Sequence, residues 1–278
     1  MLKSKTLKKK ANHGLIWAAL LGAILVLIIL SSTIFPNSNV INLAQMLEKP
    51  SFGHLFGTDE FGRDLLSRTL NGIRLSLIYA LIIEAIASVF GIVIGMAAGY
   101  FGGILDDFLN FVMNIFQIFP SSVAAIAIIA ILGSSDVTLV AILSLLGWVG
   151  YARLARSSTL SFKERDFILG AKAAGASDWY IIFKHILPNV LMPLLPMITL
   201  YIGHEIMSIA GLSFLGFGVQ PPNAEIGLML KDSATYINVA PWLLICPGVT
   251  LAIVVSLINA LGDSLRDKLD PHSEIIER

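Results

Sequence analysis

Residues 75–101 read LSLIYALIIEAIASVFGIVIGMAAGYF, and Glu84 is the single formally charged side chain in that run. About 20 predominantly apolar residues, coiled as an α-helix, cover the hydrocarbon core of a bilayer, so the run predicts a membrane-spanning helix. Inside lipid no water is present to satisfy backbone N–H and C=O groups, and a helix pairs them within its own segment. The sequence lacks the alternating strands of about ten residues that would mark a membrane barrel.

Composition points the same way. Of 278 residues, 56% are hydrophobic and 14% charged, whereas a soluble domain carries about 25% charged residues. The formal net charge of zero gives no basis for nucleic-acid binding. The lone Cys246 cannot form an internal disulfide and reads as a small packing residue.

Outward from the opening run, comparable apolar stretches lie at 14–35, 111–132, 137–152, 189–210 and 241–262. Together they predict an all-α polytopic membrane protein with six transmembrane helices, the fourth being the shortest. Pro120, Pro193 and Pro196 fall in or beside spans, where the missing N–H predicts kinks. The first stretch exceeds the 7–15-residue core of a secretory signal, so it reads as a retained helix.

Cationic residues near span ends are held in the cytoplasm. With the N-terminus inside, fourteen Lys and Arg lie inside, including Lys3, Lys10, Arg153, Arg165, Lys184 and Arg266, and five lie outside: Lys49, Arg63, Arg68, Arg74 and Lys231. This asymmetry predicts cytoplasmic termini. The resulting plan has four parts. Residues 1–35 form an N-tail and first helix, 36–74 an extracytoplasmic receiving segment, 75–262 the transmembrane domain with a cytoplasmic loop at 153–188, and 263–278 a C-tail.

The loop is the most informative part. Residues 161–196 read SFKERDFILGAKAAGASDWYIIFKHILPNVLMPLLP. Good helix formers over 161–174 predict one short helix, which Gly175 breaks. Ser177 is placed to cap a second helix running to His185, and Pro188 is expected to end it. Two short amphipathic helices around a glycine turn suit docking into a groove on a peripheral protein.

The spacing from Gly175 to Leu187-Pro188 resembles the cytoplasmic loop of bacterial ABC importer permeases, where that loop forms the coupling helix gripped by the ATPase. Family members often begin the motif with Glu-Ala-Ala, whereas this chain has Leu169-Gly170-Ala171, and His185 stands where an aliphatic residue is common. That degeneracy is similar to the dipeptide, oligopeptide and nickel branch. FGTDEFGRDLLSRTLNGIRLSL at 56–77, AGLSFLGFGVQPPNAEIG at 210–227 and LGDSLRDKLDPH at 261–272 resemble that branch's receiving segment, last outer loop and tail. The resemblance implies a type I permease fold in the bacterial cytoplasmic membrane. It also implies a homologous permease as heterodimer partner, two cytoplasmic ATPases carrying ATP and Mg, and an extracytoplasmic solute-binding protein. Ala174, Gly175, Ala176, Ser177, Asp178, Leu187 and Pro188 would form the ATPase contact. Ile202-Gly203-His204 and Ala224-Glu225 look similar to nickel-importing permeases, so the expected cargo leans to nickel or a metal chelate, with di- or oligopeptides as the alternative.

Intramembrane ionisable residues are costly and mark pathways by default, which makes Glu84, His204 and Glu205 the candidates for a translocation path. For His204 and Glu205 a hydrogen-bonded interhelical pair is the competing reading; for Glu84 the alternatives are a protonated carboxyl, a pairing with the partner permease, or an interfacial position. Outside the membrane, Asp59, Arg63, Asp64 and Arg68 have the spacing of one charged helical face. That face serves either as a solvated surface or in receiving cargo or its binding protein. No phosphate-binding Gly-x-x-x-x-Gly-Lys-Ser/Thr run is present, so ATP belongs on another chain and no cofactor is expected on this one. The five histidines show no structural metal spacing, and no catalytic constellation emerges. An ion-driven secondary transporter, with Glu84 or Glu205 as proton carrier, is the rival from another class. It would favour inverted repeats, and none is evident.

Overall fold

The computed structural model describes residues 38–269, together with Gly22. The expected first span at 14–35 and the tail beyond 269 lie outside the described residues. Within them the chain is helical, with one isolated bridge between Thr58 and Asp64. Helices α1 (Leu65–Phe101), α2 (Gly103–Phe116), α3 (Ser121–Leu132) and α4 (Asp136–Lys163) are followed by the loop helices α5 (Asp166–Ala173) and α6 (Asp178–Ile181). Then come α7 (Leu187–Phe214), the short outer α8 (Ile226–Ser233) and α9 (Trp242–Leu269). Four helical segments are long and apolar enough to cross a membrane, or five if α2 and α3 count as one broken span.

Several expected boundaries are corrected. The stretch 111–132 is not one helix: α2 and α3 meet at a bend of 78°. The break falls at Gln117–Pro120, and Pro120 stands at the N-cap of α3, because a proline is accommodated before or at the first helical position but not inside. The fourth span is not short, since α4 has 28 residues and runs on to Lys163. Eleven residues assigned to the cytoplasmic loop therefore continue that helix, and α5 begins only at Asp166. α1 starts at Leu65, capped by Asp64, whose side chain accepts from Ser67 N. Its 37 residues reach about 55 Å at 1.5 Å per residue, well beyond a ~30 Å hydrocarbon core, so α1 extends past the membrane.

α1 and α4 form the central pair. Gly91, Gly95 and Gly99 lie one turn apart on α1, and their faces touch α4 directly. A Cβ on Gly95 would lie 2.9 Å from the Ala152 backbone, and one on Gly99 2.8 Å from Arg156 O. Small residues permit this approach of two backbones, which is how helices pack without a hydrophobic driving force in lipid. The buried side chains separate into one cluster around Leu65, Ile73, Ile206 and Leu243, an inner one on the loop side around Tyr100, Tyr151, Ile168 and Ile186, and a small third around Met113 and Trp148.

Pro188 does not end the second loop helix. α6 passes through a π turn at Ile182–Ile186 into α7, with Pro188 at the start of α7. The widened turn bonds Leu187 N to Ile182 O, and Asn189 Nδ2 donates to His185 O at 2.6 Å. A proline is thus absorbed where α geometry would set its ring against a carbonyl. Pro193 and Pro196 lie inside α7, whose helix runs unbroken.

Candidate functional site

On the loop between α4 and α7, α5 ends in a Schellman motif: Ala176 N donates to Ala171 O at 3.0 Å and Gly175 N to Lys172 O at 2.9 Å. Gly175 has φ of 81°, the left-handed conformation glycine adopts without a Cβ penalty. Ser177 then caps α6 by accepting from Tyr180 N at 3.3 Å, as its position predicts. Ala174, Gly175, Ser177, Asp178 and Pro188 are exposed, while Ala176 and Leu187 are half-buried against the inner cluster.

Two features of the loop are not legible from local spacing. Tyr100, at the end of α1, donates its hydroxyl to Asp178 at 2.5 Å and offers its ring face to Lys172 Nζ at 5.0 Å. One buried aromatic thus fastens both loop helices to a membrane span. Ile168, Ile181, Ile182 and Ile186 turn inward, whereas Trp179 and Phe183 stack on each other at 5.9 Å and are 67% and 60% exposed. Large apolar rings left in water mark a contact surface.

Within the membrane, Glu84 of α1 is buried and accepts from the hydroxyl of Tyr151 on α4. Tyr151 packs edge-on to Tyr201 of α7 at 5.4 Å. Glu205, one turn beyond Tyr201, is 7% exposed, and its Oε2 is buried without a hydrogen-bond partner among the described residues. The structure therefore gathers Glu84, Tyr151, Tyr201 and Glu205 from three helices. His204 is exposed, pointing away from its neighbour's burial as a 100° step requires. A cavity of ≈ 840 Å³ opens beside this cluster, bounded by the α2–α3 bend at Gln117 and Phe119, by Leu143–Gly150 of α4 and by Tyr201, His204, Glu205 and Ser208 of α7. Tyr100 and Tyr151 escaped the sequence reading because their hydrogen-bond partners, Asp178 and Glu84, are 78 and 67 residues distant.

The outer charged residues do not form a helical face, because residues 59–63 are turn and extended chain. Asp59 accepts from Arg63 Nε at 2.6 Å and from the backbone N–H of Phe61 and Arg63. Arg68 reaches Asp59 at 3.3 Å and donates to Asn39 at 2.6 Å, while Asp64 caps α1 and meets His54 at 2.8 Å. Asp59 and Arg68 are each 5% exposed, so a solvated face is ruled out. Breaking a buried pair costs about 3–5 kcal/mol against about 0–1 for a surface pair, and these charges accordingly lock the outer segment onto α1. Nearby Glu60 and Asp232 are pushed up by loss of solvent.

Among the described residues no group of three or more His, Cys, Asp or Glu is placed to hold a metal ion.

Comparison with known proteins adds relatives to this geometry. Residues 91–274 match the family described as binding-protein-dependent transport system inner membrane component. The chain is 41% identical over 230 residues to the dipeptide transport system permease protein DppC of Alkalihalophilus pseudofirmus, covering 83% of this chain and 76% of that one. It is 36% identical over 232 residues to the nickel transport system permease protein NikC of Escherichia coli K12, covering 84% of each. Its fold is similar to a chain of the MetNI methionine ABC transporter in an inward-facing conformation, with a TM-score of 0.60 at 18% identity, over 74% of this chain and 98% of that one.

Proposed function

We propose, from the premise that this chain belongs to the family of binding-protein-dependent transport system inner membrane components, that it forms one half of an ATP-driven import path. It is an ABC importer permease of the dipeptide and nickel type. In this reading six spans place both termini in the cytoplasm, and a homologous permease completes the path as a heterodimer. Two ATPases, which carry ATP and Mg, seat against Ala174–Asp178 and the exposed Trp179–Phe183 rings. An extracytoplasmic binding protein delivers cargo to the outer side, which includes the 39–64 segment locked onto α1. The protein hydrolyses nothing; it converts ATPase motion into alternate opening of the cavity beside Glu205. Residence in a bacterial cytoplasmic membrane follows from the same reading.

The observation that carries this reading is the Tyr100 link, by which a surface loop with exposed aromatic rings is fastened to a span that also bears Glu84. A push on α6 is passed to α1 through packed groups rather than through a flexible connector.

The cargo is a peptide or nickel, and relatives of both kinds are similar to this chain. The lean towards nickel rests on the likeness of Ile202-Gly203-His204 and Ala224-Glu225 to nickel-importing permeases; among the described residues no group of three or more His, Cys, Asp or Glu is placed to hold a metal ion. The cavity of ≈ 840 Å³ has room for a short peptide.

The test is Gly175→Glu in the assembled transporter. Left-handed strain of about 1 kcal/mol combines with a charge set in the contact surface, so uptake of labelled dipeptide and labelled nickel should fall to background at unchanged abundance. Normal uptake would reject the loop as the coupling element.

A further inference from the structure

Glu205 presents a problem that the permease reading leaves open. Its side chain is more than nine-tenths buried, one carboxylate oxygen has no partner among the described residues, and it lies on the wall of the ≈ 840 Å³ cavity. Removing an unpaired carboxylate from water is costly. Among the described residues no Lys or Arg lines the cavity, and His204 is the basic side chain on its wall. A carboxyl so placed either holds a proton or meets a positive charge carried by a bound group.

The surroundings limit what that charge can be. A divalent metal ion takes several N or O ligands in fixed geometry, and no group of three ligating residues is present among the described residues. An ammonium group needs less: a carboxylate, an aromatic face and a few hydroxyl or amide oxygens. Those are the groups lining the cavity, with Tyr201 one turn before Glu205 and Ser121, Gln117 and Ser208 on adjoining walls. The volume lies within the roughly 300–1,000 Å³ of small organic ligand sites.

We propose that Glu205, with the Tyr201 ring beside it, binds the protonated amine of an organic cargo in transit through the cavity. The proposal rests on the reading of this chain as an importer permease. It assigns to the membrane subunit a selection for cationic amines in addition to whatever the delivery protein selects.

The test uses the full transporter with Cys246→Ser as background and Ser208→Cys as a reporter on the cavity wall. Labelling by 2-aminoethyl methanethiosulfonate is compared with labelling by the anionic sulfonatoethyl reagent. The cationic reagent should react about tenfold faster, equivalent to ~1.4 kcal/mol of preference, and propylammonium should slow the reaction where nickel chloride does not. Glu205→Gln should bring the two rates together, while Glu205→Asp, which keeps the charge, should retain most of the difference and show that the fold survives. Equal rates before substitution, or protection by nickel chloride alone, would overturn the amine site. ATPase co-purification separates the two claims: a complex that assembles without charge preference rejects the amine site only. A charge preference in a chain that recruits no ATPase rejects the permease reading, and the assignment to cargo with it.

Discussion

Tyr100 is a single residue whose loss should be felt at a distance. Its hydroxyl meets a carboxylate, Asp178, at 2.5 Å, and a hydrogen bond to a charged group contributes about 1.5–3 kcal/mol. Tyr100→Phe keeps the ring under Lys172 but removes the donor, so the transporter should assemble while uptake per transporter falls several-fold. Uptake equal to wild type at matched abundance would show that Asp178 needs no anchor. Glu225 acts by a different means. It is fully buried, caps α8 through Leu228 N at 3.0 Å and takes the Ser76 hydroxyl of α1 at 3.1 Å. Burial pushes its carboxyl above the ordinary carboxylate range. The folded state then holds the proton more tightly than the unfolded state, so stability decreases as pH rises from the ordinary carboxylate value through the raised one. Melting temperature against pH should show this decline, and Glu225→Gln should flatten it; the same slope in both proteins would reject the assignment.

At the scale of elements, the α1–α4 contact decides whether the bundle forms. Because a Cβ at Gly95 would press on the Ala152 backbone, Gly95→Leu must drive the helices apart. Overpacking costs about 1–3 kcal/mol where side chains can shift, and backbone cannot yield as side chains do. Accumulation of Gly95→Leu protein in the membrane should be nearly lost, whereas Gly147→Ala, whose Cβ would meet Ala87 Cβ at an ordinary 3.4 Å, should accumulate normally. Equal accumulation of the two would refute the close approach. The π turn at Ile182–Ile186 has a comparable logic: it lets α6 and α7 move as one helix despite Pro188, so force on the loop reaches Glu205 along an unbroken rod.

For the whole molecule, the arrangement of cations predicts sidedness. In intact cells an impermeant thiol reagent should label Asn223→Cys on the outer loop and spare Ala176→Cys on the cytoplasmic loop, both in a Cys246→Ser background. The reverse pattern would invert the proposed topology and remove the ATPase site from the cytoplasm. Exposed apolar side chains along α2 and in the break after it, among them Phe108, Phe111, Ile118 and Phe119, are placed to face lipid or, in the proposed heterodimer, the second permease.

The membrane class, the helical content and the glycine turn with its Ser177 cap were legible before any fold was known. They depend on hydrophobic runs, propensities and hydrogen bonds between residues a few positions apart. Helix ends were less legible: polar residues at 153–163 read as loop although α4 continues through them, because Arg156 is held by Asp106 of α2 at 2.6 Å and Thr159 is buried against α1. Asp59 and Arg68 read as parts of one charged helical face, yet residues 59–63 are not helical and the two side chains are buried together. Glu84 and Glu205 stood out as charges in apolar runs, but nothing local could join them to Tyr151 and Tyr201 or set Glu205 on a cavity wall. Those relations come from the crossing of α1, α4 and α7, where groups far apart in the chain become neighbours and desolvation acts on all of them together.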